Sequence, residues 1–370
     1  MKKIIFLFLI SFQLINAQEL ALVKKDGKFG LITKDGTFAV EPKFDSARDF
    51  SDGLAAVKQN GKWGYTDSKG NFVIPAAFDN ARDFNSGIAA VEKKSVWYYI
   101  NKQGEILSGN PESDKLFDFH YGAAFFRQTN KVGLINNKFE IILPPKYDVI
   151  RAFYKGYAKA AVNGKWGIVD PAGKEVVEAI YDEVGDYYNN TTWAKKGKEY
   201  GLVHNGQFTP IEDVTEFGSF GTQDLIAAKK GGKWGFVNFE GQWILKPMFE
   251  KTKPFSNNLA PICIREKWGY TNIEGTCVIQ PIYNDADSFS ENGLAAVKEA
   301  YGWGFIDEKG KSIIPPNYEI SAAFGSYNTH EEKGFIGGLA RVKRNGKWGF
   351  LKPNGDLLAE WFQNAELFQK

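Results

Sequence analysis

Apolar residues along this chain come in short runs, not in long stripes. Gly53-Leu54-Ala55-Ala56-Val57 and Gly293-Leu294-Ala295-Ala296-Val297 are typical, each followed by a polar stretch and then an aromatic. Over residues 54–84 this pattern predicts three short antiparallel strands. The first covers 54–58, and Asn60-Gly61 supplies the positive backbone angles of a tight hairpin turn. The second returns over 63–66, and Asp67-Ser68-Lys69-Gly70 turns the chain again with glycine where a positive φ is needed. The third covers 72–74 and stops at Pro75, which cannot donate to a ladder. Residues 78–84 then lead to the next such unit.

That unit recurs. Gly-Lys-Trp-Gly stands at 61–64, 164–167, 232–235 and 346–349. Looser versions are Lys28-Phe29-Gly30, Val96-Trp97-Tyr98, Lys131-Val132-Gly133, Glu199-Tyr200-Gly201, Lys267-Trp268-Gly269 and Gly302-Trp303-Gly304. The ten sites are spaced by 34 or 35 residues, except for a last interval of 45. A second glycine follows six residues on in most units, as at Gly36, Gly70 and Gly275. An aromatic follows fourteen on (Phe44, Phe78, Tyr147, Tyr181, Phe249), and another twenty on (Phe50, Phe84, Phe153, Tyr187, Phe255, Phe289, Phe324). A period in this range marks stacked supersecondary units, because a single small sheet buries too little to stand alone.

On these residues the chain resembles the WG-repeat family, seen in many bacterial proteins, over residues 20–370. The resemblance implies a structural or interaction repeat and brings no catalytic residues with it. A more distant likeness is to choline-binding cell-wall repeats, which are also Trp-rich hairpins. The departures from the pattern are local. The third unit has Tyr98 for glycine, the fourth has Phe139 in place of the second glycine, and the sixth lacks the aromatic at the fourteenth place. The last link carries an insertion over 325–337.

The expected fold is therefore all-β, about ten units of three strands over residues 18–370, stacked as an elongated solenoid. The alternative is a closed propeller-like ring. It is disfavoured by count, since propellers usually have 4–8 blades of four strands. It is kept open because Leu20-Ala21-Leu22-Val23 and Asn364-Ala365-Glu366-Leu367-Phe368 are complementary parts of one unit. On the solenoid reading, removing the units after about residue 285 should leave a folded remainder.

Composition narrows the function by exclusion. With 46 Lys and Arg against 44 Asp and Glu, the chain has no net field for nucleic acid or an anionic membrane. Lys2 and Lys3 precede an apolar stretch over 4–15, and Ile15-Asn16-Ala17 offers a small residue before Gln18. This reads as a signal peptide over 1–17, too short for an ordinary membrane span. Its removal would leave a formally neutral, exported chain in the periplasm, outside the cell or on its surface. Two Cys, at 263 and 277, would sit on the first and third strands of one unit. They would lie too far apart for a disulfide, as free, buried thiols. His120, His204 and His330 fall in different units, and no nucleophile, nucleotide or zinc motif is present, so neither enzyme, metal nor cofactor is expected.

The repeated positions Trp63, Gly64, Trp166, Gly167, Trp234, Gly235, Trp268, Gly269, Trp303, Gly304, Trp348 and Gly349 read as the inter-repeat core. Acidic residues recur in the connectors, among them Asp45, Asp49, Asp79, Asp83, Asp182 and Asp186. Arg48 and Arg82 stand beside the first two pairs, so salt bridges and turn caps are favoured over Ca²⁺. Binding is expected where the repeat breaks: at off-register Trp193, Trp243 and Trp361, and at the inserted loop with Tyr327, His330 and Phe335. The leading function is an exported scaffold contacting another protein. The alternative is a carbohydrate or cell-envelope binder using exposed aromatics.

Overall fold

The computed structural model describes residues 19–320 and 334–369. The signal segment, Phe324, Tyr327 and His330 lie outside the described residues. All regular structure among the described residues is β, in ten small antiparallel sheets following the ten units. The second sheet is representative. Leu54–Gln59 pairs with Lys62–Thr66 across the Asn60-Gly61 turn, and Lys62–Thr66 pairs with Phe72–Phe78. Asn60 and Gly61 both take positive φ, at 51° and 80°. The Asp67 carboxylate accepts from the Lys69 and Asn71 amides, both at 2.9 Å, and closes the second turn.

Two strand expectations change. The connector is itself a strand: Ser46–Ser51 pairs with Leu54–Gln59, giving four strands in place of three. The outer strand also does not stop at Pro75. It continues to Phe78 through a bulge in which Gly64 faces the segment from Ile74 to Phe78. Proline is tolerated there because this strand is the sheet's edge. The bulge explains the second half of the Trp-Gly pair. A Cβ on Gly64 would lie 2.6 Å from the Ile74 carbonyl oxygen and 2.7 Å from the Ala76 nitrogen. Gly30, Gly133, Gly167, Gly235, Gly269 and Gly304 face the same backbone in their own sheets.

Burial on both faces explains the Leu-Ala-Ala-Val runs. In Leu54–Gln59, Ala55 and Val57 join Leu22, Leu31 and Phe44 of the preceding sheet, whereas Leu54 and Ala56 join Ala89, Val91 and Ile100 of the following one. Each strand thus serves two interfaces, and alanine lets the sheets approach closely. Ten such clusters occur, one between each consecutive pair of sheets. The last joins sheet ten to sheet one: Ala21, Val23 and Ile32 pack with Leu339, Phe350 and Phe362.

That tenth cluster replaces the solenoid with the ring. Asn364–Ala365 pairs with Leu20–Lys25, so the end of the chain supplies the fourth strand of the first sheet. The bonds run from Gln363 N to Lys24 O, Glu366 N to Leu22 O, and reciprocally between Leu20 and Gln369, at 2.8–2.9 Å. An open stack of sheets apolar on both faces would leave two bare ends needing caps. Here the ends cover each other.

Candidate functional site

The short first strands of the sheets stand around the ring's axis, and their carboxyl ends place a recurring set of residues there. A cation at the third residue of the connector stacks on the aromatic fifteen residues on. Arg48 lies over Trp63 at 5.6 Å, Arg82 over Trp97 at 4.4 Å, Arg151 over Trp166 at 4.8 Å and Lys253 over Trp268 at 5.2 Å. Arg82 also pairs with Asp118 at 3.2 Å, and the salt bridges expected of Asp45 and Asp79 are made by other cations. Those carboxylates pin the Lys of the Lys-Trp-Gly motif instead. Lys28 binds Asp45 at 2.6 Å, Lys62 binds Asp79, and Lys165 binds Asp182 at 2.5 Å. The same carboxylates accept the amide of the next hairpin, as Asp79 does from Lys94 at 2.7 Å. This double acceptance holds Asp45, Asp79, Asp148 and Asp182 below the usual carboxylate range, with the lysine bond the largest cause.

The axial carboxylates behave oppositely. Burial pushes Asp49 up to about 7, reinforced by the nearby Glu366 and Asp83 charges. Burial likewise pushes Asp83 up to about 6. Arg341, buried at the ring closure, stacks on Trp348 at 3.7 Å and bonds the Ala365 carbonyl.

The repeated tryptophans lie at the margins of the inter-sheet clusters. Trp63, Trp166, Trp234, Trp268 and Trp348 are half-buried, and Trp303 is buried. Among the largest fully buried side chains are those two places later, at Tyr65, Tyr270, Phe236, Phe305 and Phe350. Gly349 is covered by Trp361, which also stacks on Tyr318 at 6.4 Å. Trp243 packs into the cluster between sheets six and seven. Phe335, expected on an exposed loop, is buried 4.9 Å from Phe305 in an edge-on contact. Phe335 is thus the counterpart of Phe84, which meets Tyr65 in the same way at 4.7 Å. Cys263 is buried, whereas Cys277 is only half-buried. Both are free, on strands either side of Lys267–Thr271.

The axial place is not cationic in every sheet: it holds Glu366 in sheet one, Asp287 in sheet nine, and glycine in sheets six and seven. Gly185 and Gly218 occupy the place that holds Arg48, Arg82, Arg151 or Lys253 elsewhere, and Trp193 fills the space beside Gly185. A cavity of ≈420 Å³ opens there, lined by Arg151, Tyr154, Lys159, Asp186, Trp193 and Phe220 among others. It shares Tyr154, Asp186, Tyr187, Ser219 and Phe220 with a larger axial cavity of ≈970 Å³ that extends to Lys253, Ser256, Asp287 and Phe335. Sequence reasoning found Trp193 here but missed the two glycines. Their signal was the loss of a cation at a fixed place in the repeat. Among the described residues no cluster of His, Cys, Asp and Glu suits a metal ion, and no helix is long and apolar enough to cross a membrane.

Ten radially packed units among the described residues, eight of four strands and two of three, closed by pairing of the two chain ends, define a ten-bladed β-propeller. The sequence matches the family described as "WG containing repeat" over 29–63, 63–97, 99–131, 133–166, 166–200, 234–268, 268–301, 303–327 and 333–348, and the chain belongs to that family. No curated protein matches it. Among solved structures it is similar to a eukaryotic initiation factor at 12% identity, over 95% of this chain and 98% of that one, with a TM-score of 0.49. Hsv2 of Kluyvelomyces marxianus is 11% identical over 66% of this chain and 94% of that one, with a TM-score of 0.36. Apo AztD of Citrobacter koseri is 13% identical over 94% and 97%, with a TM-score of 0.33.

Proposed function

We propose that this propeller is an exported, non-catalytic scaffold that holds another protein against its outer perimeter. Export is supported by Lys2, Lys3, the apolar stretch over 4–15 and the small residue Ala17. The observation that carries the binding reading is a band of exposed aliphatic side chains repeated at the same register on neighbouring outer strands. In sheets seven and eight, Ile244 and Val278 are equivalent, as are Met248 at 58% exposure and Ile282 at 64%. Val73 and Ile180 extend the pattern to sheets two and five. Isolated exposed aliphatics are ordinary, but a repeated pair on adjacent blades makes a contiguous apolar surface suited to a protein partner. The test is capture from envelope extracts by the intact chain and by the double variant Met248→Lys, Ile282→Lys. Both sites are exposed, so thermal stability should hold while capture falls. Equal capture by the two proteins would reject the perimeter as the contact surface.

A further inference from the structure

We propose that the axial cavity of sheets five to seven, continuous with the larger cavity toward sheets eight to ten, binds a neutral oligosaccharide. This site is separate from the perimeter and does not depend on the protein-binding reading.

Four observations converge on that chemistry. First, each of the two adjoining cavities, ≈420 and ≈970 Å³, falls within the roughly 300–1,000 Å³ range of ligand sites and is concave, unlike the perimeter. Second, the shared wall is aromatic: Tyr154, Tyr187 and Phe220 are half-buried and line both cavities. Such rings offer faces to the apolar C–H side of a sugar, as they do to other flat or cationic groups. Third, the half-buried charges on the wall are already compensated; the exposed Arg151 and Lys155 lie over Trp166 and Tyr154 at 4.8 and 5.3 Å, and Glu291 is exposed. Lys159 binds Asp186 at 2.8 Å, and Lys253 binds Asp285 at 3.1 Å and Asp287 at 3.4 Å. An ionic ligand reaching these half-buried groups would have to displace one of these partners, whereas a neutral polyol can bond to the paired groups without breaking them. Fourth, five hydroxyls line the larger cavity, Ser219, Thr222, Ser256, Ser288 and Ser290, beside the amide of Asn292. Ser256 and Ser288 donate to the Phe289 and Pro254 carbonyls at 2.6 and 2.8 Å, which fixes their oxygens as acceptors.

Gly218 helps to open the site between sheets six and seven. At Trp63, Trp97 and Trp166 an arginine lies over the aromatic, 4.4–5.6 Å from the ring centroid. Gly218 leaves that place open, and a Cβ there would meet only Ala227 closely, at 3.1 Å. Restoring arginine should close the cleft.

The experiment screens the full chain against a glycan array carrying neutral, anionic and cationic sugars. The best neutral hexasaccharide is then titrated calorimetrically at low salt and at about 1 M salt, where the screening length is ~3 Å. The expected result is retention of neutral glycans, affinity unchanged by salt, and binding at least about tenfold weaker (a loss of ~1.4 kcal/mol) in Tyr187→Ala and Gly218→Arg. Should either variant melt early, Tyr154→Ala and Tyr154→Phe replace it, with loss in the first and retention in the second. Retention of charged glycans alone, a salt-sensitive affinity, capture of peptides in place of sugars, an empty array, or variants that bind like the native chain would each overturn the proposal. The perimeter double variant should bind the glycan normally, and Tyr187→Ala should still capture protein, so the two readings fail separately.

Discussion

The fifth and third blades carry the same repeat with one decisive difference. In the fifth, Gly167 lets Glu175–Tyr181 cross over the third strand in a bulge, and a Cβ would sit 2.6 Å from the Ala179 nitrogen. In the third, Tyr98 occupies that place, and the outer strand is reduced to one bridge between Ile100 and Ile106. The chain there leaves the blade and returns along Tyr99, whose hydroxyl donates to the Phe117 carbonyl at 2.6 Å and accepts from the Phe117 amide at 3.0 Å. Blade five has no proline in its bulge, so glycine and not proline makes the crossing possible. The comparison separates two roles within one motif: the aromatic closes the inter-blade cluster, and the glycine admits the fourth strand.

The widest break in this arrangement is at the closure, because the first blade depends on residues from the far end of the chain. Removing residues 364–370 should strip its innermost strand, expose the cluster around Ala21 and Phe362, and abolish a single cooperative melt followed by circular dichroism. An unaltered melt would mean the ends do not support one another. Truncation after residue 285 should likewise yield no folded remainder, the opposite of what an open array gives.

A smaller effect distinguishes the two blades directly. Gly167→Ala places a methyl against backbone and should cost about 2–4 kcal/mol in denaturant unfolding. Tyr98→Ala, at the same register in a blade without the crossing strand, should cost clearly less. Equal losses would remove the bulge as the reason for the glycine.

The smallest effect concerns Asp49. Its folded pKa of about 7 exceeds the ordinary value of 3.8, so the folded state binds the proton more tightly than the unfolded chain. The stabilisation from this group is full at low pH and is lost as pH rises from about 4 through 7. Asp49→Asn should therefore gain stability over the native chain, on the order of 1 kcal/mol, at pH 8 and none below pH 4. The pinned carboxylates Asp45, Asp79 and Asp182 titrate the other way, so the difference between the two proteins, not either melt alone, is the readout.

Much of the blade was visible in the sequence because its demands are local. Hairpin Asn60-Gly61, turn Asp67 to Gly70 and the doubly buried Leu54 to Val57 each state their geometry in a few residues. The fourth strand was not visible, since pairings such as Asn80–Ala81 are two residues long and carry no periodicity. Closure depends on 20–25 meeting 364–365, a contact between distant residues whose complementarity is legible but whose energy is not. At the site, Trp193 stood out as off-register. Gly185 and Gly218 did not, because their meaning lies in the Arg–Trp stacking of other blades, visible only once Arg48, Arg82 and Arg151 are seen over their rings.

The central claim is that one chain closes into a ten-bladed ring. Amide hydrogen exchange on the intact protein tests it most directly at Gln363, Glu366 and Gln369, which donate to Lys24, Leu22 and Leu20. A closed ring predicts protection of these amides within the range of interior pairs such as Ala160 with Gly167. Exchange at the rate of an unstructured terminus would contradict it.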